Sequence, residues 1–199
     1  GIGPVAIALT ELLVMLVVMQ WIARRVFKLD RDLALLLAAG TAVCGAAAIL
    51  SVASVIKARA QQAAIAVTLI TLAGTLALLA YPIGFLQGWL PGLDDDRYGI
   101  LVGASIYELA QVYGASFAVS ELALNTATLV KLTKVLMLIP LLLAIGWWRQ
   151  RGERAHGAAP LPVPWFIVGF AAVVMVNSAI TMSGSVRNVI LRVDLFLFM

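Results

Sequence analysis

The sequence predicts an all-α, polytopic transmembrane helix bundle in which some helices are discontinuous. Three observations lead there. Hydrophobic residues make up 63% of the chain and charged residues 12%, with a mean hydropathy of +1.04, whereas ordinary soluble domains carry roughly one-quarter charged residues. Several runs reach the roughly 20 apolar residues that a helix needs to cross about 30 Å of hydrocarbon, and none alternates over about ten residues as an outer-membrane barrel strand would. Finally, every residue from Ala38 to Ala48 except Val43 is small, in a run where bulky aliphatic side chains would suit lipid better. Such a stretch is built for close approach, by a neighbouring helix or by a solute.

The expected elements follow in order within one transmembrane domain, 1–199. Ile2 to Ala23 is a spanning helix with Glu11 near its middle and Trp21 at the interface, followed by the basic "RRVFKLDRD". It is longer than a typical signal-peptide core and has no basic residues before it, so it reads as a span. Leu33 to Ile56 contains the small-residue stretch and ends at Lys57 and Arg59. Ala63 to Ile83 gives a third helix, closed by Tyr81 and Pro82. After the long loop "GFLQGWLPGLDDDRYG" comes Ile100 to Val119, holding Glu108 and Gln111. Leu129 to Trp148 carries Lys131 and Lys134 near its start and Pro140 within, where a kink is expected because proline removes a backbone donor. A basic, Pro-rich connection leads to a sixth span, Trp165 to Met182, with Asn177 and Ser178, and then to an amphipathic remnant, 183–199.

The net charge of +4 comes from basic residues clustered in short loops between apolar runs, as positive-inside topology requires. Arg24, Arg25, Lys28 and Arg31 on one side, and Arg149, Arg151 and Arg154 on the other, are both expected to face the cytoplasm. Four segments lie between them, which satisfies the rule if all four cross or if the second and fourth are both re-entrant, and Lys57 and Arg59 then face outward. The lone Cys44 excludes an internal disulfide and a multi-cysteine metal site, and the lone His156 lies in a loop. There is no Ser/His/Asp set, no HExxH and no Walker-type loop. An enzyme is therefore not expected, and neither is a cofactor or metal.

The chemistry-bearing residues sit inside the spans. Gly40, Thr41, Cys44, Gly45 and Ala48 recur at spacings of three and four, giving a helix face almost without bulk. Two readings stay open: small-xxx-small packing, or a segment unwound near the midplane whose exposed N–H groups hold an anion. Each Gly lowers helix propensity by about 1 kcal/mol relative to Ala. The stretch "GASIYELAQV" from Gly103 echoes "GTAVCGAAAI" from Gly40, hinting at duplicated elements. Glu108 and Gln111 share a face with Ala104 and Ala115. An ionised carboxylate there costs at least about 2.5 kcal/mol on insertion scales, so it should be protonated, paired or beside water. Lys131 is placed to snorkel, whereas Lys134 lies more than a turn inside and is expected to pair with Glu108 or to contact an anionic solute. Glu11 has no partner visible from sequence, and Asn177 and Ser178 are read as cross-helix hydrogen-bonding groups.

The blocks "AAGTAVCGAAAI", "VIKA", "GASIYELAQV", "VKLTKVLMLIP" and "PWFIVGFAAVVMVNS", in this order, resemble the successive motifs of the sulfate exporter family of bacterial inner-membrane proteins, the YeiH-like group. Members are longer, so the resemblance implies that helices before Gly1 and after Met199 are absent, in line with a chain that lacks an initiator Met and stops in the short apolar "RVDLFLFM". It also implies a fold related to the bile acid and arsenite carriers, with discontinuous helices crossing at a central site formed by Gly40 to Ile49 and Gly103 to Val112. This chain has Tyr107 where the family's second block usually has His, and Ala46 to Ala48 where Ser is frequent in the first.

The function expected is secondary export of a small anion such as sulfate, sulfite or a related sulfur oxyanion, with a passive anion channel or a non-transporting scaffold as alternatives. Substrate-binding residues would be Gly40, Thr41, Cys44, Gly45, Gly103, Ser105, Glu108, Gln111 and Lys134. The partners are the anionic substrate, the lipid bilayer and a coupling proton or sodium ion, with room for a homo-oligomer and no role for nucleic acid.

Overall fold

A computed structural model describes the backbone of residues 3–153 and the side chains of residues 10–148. These belong to one unit, Gly1–Leu161. The expected sixth span, with Asn177 and Ser178, and the remnant after it lie outside the described residues.

Every element among the described residues is a helix: α1 (Gly3–Arg25), α2 (Arg31–Ala42), α3 (Ala46–Ile56), α4 (Ala60–Leu86), α5 (Asp95–Ser105), α6 (Leu109–Phe117), α7 (Glu121–Leu136) and α8 (Leu138–Glu153). Among the described residues, two stretches are long and apolar enough to cross a membrane: α4, and Glu121–Trp148 taken through the single-residue interruption between α7 and α8. The apolar run read as one second span is thus two helices, α2 and α3, and the fourth is α5 and α6.

Polar side chains fix the helix starts. Asp30 caps α2, its Oδ1 accepting from the N–H groups of Asp32 and Leu33, each at 3.0 Å. The same oxygen accepts from Gln62 Nε2 at 2.9 Å, and Gln62 Oε1 accepts from the Arg59 N–H at the start of α4. One carboxylate therefore registers two helix N-termini. Asp94 caps α5 through the Arg97 N–H, and Ser120 caps α7 through the Ala123 N–H.

Proline acts differently at positions 140 and 82. Pro140 lies in the first turn of α8, and Met137 interrupts the helix just before it. The Pro140 ring would clash with the carbonyl four residues back, at Leu136, and α7 ends at that residue. Pro82, expected to close the third helix, lies inside α4, which runs on to Leu86.

Packing places the two interrupted runs together. The helix α7 lies against both α5 and α6, α2 lies against α1 and α4, and α3 lies against α4 and α8. Close approach of α5 to α7 is made by Gly99 and Gly103, four apart, which face Ala123 and Ala127, also four apart. A core of Tyr98, Val102, Ile106, Val112, Ala115, Ala123 and Ala127 fills this region. The Tyr98 hydroxyl donates to the Ala115 carbonyl at 3.1 Å, so the one polar tip in that core is satisfied. On the outside, α4 exposes Ile65, Leu69, Leu72, Leu76, Leu79, Ile83 and Leu86, an apolar stripe suited to a lipid solvent.

Candidate functional site

The first interruption is made by backbone geometry at Val43–Gly45. Val43 has φ −118° and ψ −90°, and Gly45 has φ 64° and ψ −125°, a conformation open to glycine and strained for other residues. The Gly45 N–H reaches back to the Gly40 carbonyl at 3.0 Å. The bend is sharp, because a Cβ placed on Gly40 would lie 2.8 Å from the side chain of Ile49. In a straight helix those two residues would be separated by about 13.5 Å along the axis.

The second interruption, Ile106–Glu108, has no Gly or Pro. Ile106 and Glu108 are extended, with φ/ψ of −76°/139° and −101°/143°. The two interruptions touch: a Cβ on Gly45 would meet Glu108 Cγ at 3.2 Å and Tyr107 Cβ at 3.3 Å.

Breaking two helices leaves carbonyls at the ends of α2 and α5 without their usual partners, and two lysines of α7 take them. The Lys131 ammonium, in a residue only 1% exposed, donates to the Val43 carbonyl at 3.2 Å and the Ile106 carbonyl at 2.7 Å. The Lys134 ammonium donates to the Ala104 carbonyl at 2.6 Å and pairs with Glu11 Oε1 of α1, also at 2.6 Å. A cation is favourable at a helix C-terminus, where the peptide dipoles sum to roughly half a negative charge. These lysines therefore hold the crossing together.

Two expectations are corrected here. Lys131 does not snorkel, because the carbonyls it meets lie in the interior. The carboxylate paired with Lys134 is that of Glu11, not Glu108. Glu108 instead accepts at Oε1 from the Thr71 hydroxyl of α4 at 2.9 Å. Gln111 donates through Nε2 to the Thr71 carbonyl and the Thr75 hydroxyl, each at 3.2 Å, and its Oε1 is buried against Gly74.

The remaining expected site residues divide. Cys44, half-buried, and Gly45 lie in the first interruption. Thr41 lies one turn before it, with its hydroxyl donating to the Leu37 and Ala38 carbonyls of its own helix at 3.0 Å. Ser105 ends α5, with its hydroxyl on the Leu101 carbonyl at 2.5 Å. Gly40 packs within the bend against Ile49 and Ile70, and Gly103 packs against the Ala127 carbonyl. Sequence reading left out Thr71 and Thr75. The signal that could have found them is two hydroxyls at i and i+4 flanking Gly74 in an otherwise apolar helix.

Facing the lysine-held carbonyls are the starts of α3 and α6. Their N-cap residues, Gly45 and Glu108, provide no side-chain cap, so the first-turn N–H groups of both helices lack that partner. The crossing thus combines two ammonium groups, two carboxylates and the N-termini of α6 and of α3, whose Ala48 N–H reaches the Cys44 thiol. Opposite partial charges from four half-helices meet in one small region.

The sequence model of a family described as conserved hypothetical protein 698 matches residues 1–199. The chain belongs to this family. Among its relatives, a UPF0324 membrane protein of Pseudomonas putida is 44% identical over 179 residues, covering 88% of this chain and 50% of the relative. A UPF0324 membrane protein of Bordetella bronchiseptica is 40% identical over 178 residues, covering 87% and 55%, and one of Bacillus cereus is 38% identical over 157 residues, covering 77% and 45%. The chain spans about half the length of the curated relatives it matches. No solved structure matches it. Family members named as membrane proteins and the apolar helices agree: this is a membrane protein.

Proposed function

We propose that the full protein is a multi-pass inner-membrane secondary transporter that exports a small anion, a sulfur oxyanion such as sulfate or sulfite being the leading class. One observation carries the reading: two interrupted helices abut at their breaks, with Gly45 against Glu108 and Tyr107, and one ammonium bonded to a carbonyl from each. Irregular backbone is tolerated at membrane depth where it is buried in protein or lines a cavity, and paired discontinuous helices are a recurring way to build a transport site near the midplane. The starts of α3 and α6, whose N-cap residues give no side-chain cap, favour an anion as cargo. The motif resemblance to the YeiH-like sulfate exporters, and through them to the bile acid and arsenite carriers, supports the same class.

Glu108 is the carboxylate this reading puts at the binding site, because it is half-buried at the crossing and accepts from a neutral hydroxyl. The reading assigns no enzymatic chemistry. In proteoliposomes carrying the full protein, an imposed sulfite or sulfate gradient drives flux, and Glu108→Gln reduces it. Flux that is unchanged in Glu108→Gln removes that residue from the mechanism, and anion current without countertransport or proton coupling marks a passive channel instead.

A further inference from the structure

The C-terminal ends of α2 and α5 converge on one point, and both carry negative dipole ends with carbonyls that have lost their helical donors. Two such ends repel each other unless a positive charge lies between them. In ion-coupled carriers with broken helices, unwound carbonyls and half-helix C-termini are where an inorganic cation is held. Here the position between the Val43 and Ile106 carbonyls is filled by the ammonium of Lys131, at 3.2 and 2.7 Å.

The surroundings fit a cation of fixed origin. Lys131 uses two of the three donors of an ammonium on these carbonyls, and the residue is 1% exposed. The next ammonium along the same helix, Lys134, holds a further carbonyl of α5, that of Ala104. The carboxylate on Lys134 comes from α1, and the Glu108 carboxylate accepts from Thr71. Both lysines are thus engaged at the ends of the half-helices.

We infer that the Lys131 ammonium is a built-in substitute for a coupling metal cation, so that the crossing binds no sodium ion and a chain deprived of this ammonium acquires a site for a free monovalent cation. The consequence for coupling rests on the transporter reading above; the cation site itself does not. With the carbonyl position permanently occupied, sodium has no place between the broken helices, and any coupling ion acts elsewhere, at a carboxylate as a proton.

The test is thermal melting of the purified full chain, followed by tryptophan fluorescence in choline, sodium, potassium and ethylammonium chlorides at equal ionic strength. The wild-type midpoint is expected to be the same in all four. Lys131→Ala is expected to melt lower in choline and to regain at least about 3 °C in sodium, potassium or ethylammonium, as a ligand that binds only the folded state must produce. Should Lys131→Ala aggregate in choline, recovery of monodisperse protein in the other salts is the readout, with Lys131→Gln measured alongside. Selective stabilisation of the wild type by sodium overturns the inference. So does a loss of stability or of monodisperse protein in both variants that no cation repairs, which would make Lys131 a purely structural clasp. Flux measurements fail or succeed separately: an absence of anion flux refutes the transporter reading and leaves the cation site standing.

Discussion

Gly103 and Gly40 were expected to serve the same purpose, and the structure separates what a methyl group would do at each. On Gly103 an added Cβ meets the Ala127 carbonyl oxygen, with Val130 Cβ at 2.9 Å and Ala127 Cα at 3.0 Å. Two of these three atoms are backbone of α7 and cannot rotate away. Overpacking of this kind costs about 1–3 kcal/mol, and replacing Gly by Ala in a helix returns about 1 kcal/mol. With backbone atoms in the way the cost lies toward the upper end, leaving Gly103→Ala about 1–2 kcal/mol less stable. On Gly40 the nearest atoms are Cδ1 and Cγ1 of Ile49, both at 2.8 Å, side-chain atoms that give more readily than backbone. The cost there, about 1 kcal/mol, is offset by the propensity gain, and the net change is near zero. At roughly 2–4 °C per kcal/mol, Gly103→Ala should melt roughly 2–8 °C below the wild type and Gly40→Ala close to it. A Gly103→Ala variant as stable as the wild type refutes the packing of α5 on α7 described above, and a Gly40→Ala variant that falls equally far refutes a yielding contact between Gly40 and Ile49.

Two further outcomes follow from polar contacts. The N–H of Leu33, chief among its partners, holds the Asp30 carboxyl below its ordinary value of 3.8. Because the folded-state value is depressed, this cap contributes fully above pH 3.8 and is lost as pH falls through the lower folded value; Asp30→Ala at neutral pH costs about 0.5–1 kcal/mol at this exposed position. A pH-stability profile identical in wild type and Asp30→Ala in the acid range contradicts it. For the Glu11–Lys134 pair, a double-mutant cycle with Glu11→Gln and Lys134→Met should give a coupling of about 1–2 kcal/mol, reduced from a fully buried pair because Glu11 is 39% exposed. Additivity within about 0.5 kcal/mol means the pair is not formed.

How much of this was legible in the sequence depends on whether the cause was local. The first interruption was visible because Gly45 can take a backbone conformation that its neighbours cannot. The second was visible only as an echo of the first: Ile106, Tyr107 and Glu108 carry no glycine or proline, and their extended backbone is held by ammonium groups delivered from α7. The burial of Lys131 was misread for the same reason. Its distance from the end of an apolar run suggested that it could reach water, whereas its partners are carbonyls that exist only because two other helices break. The Glu11–Lys134 pair joins α1 to α7, and no spacing rule connects residues so far apart. The hydroxyls of Thr71 and Thr75 give little signal because threonine in an apolar helix ordinarily bonds its own preceding turn, as Thr68 does with the Ala64 carbonyl and Thr75 with the Thr71 carbonyl.

The transport site proposed above requires that the two abutting helix breaks frame a polar space that a small solute can enter, and Cys44 lies within the first break as the chain's one cysteine. That is tested by its reaction, in native membranes, with a small charged methanethiosulfonate, with and without sulfate or sulfite. Labelling of the folded protein, slowed by the oxyanion, is the expected result. Cys44 that stays unreactive until the protein is unfolded, while a lipid-permeant maleimide reaches it freely, would contradict the claim.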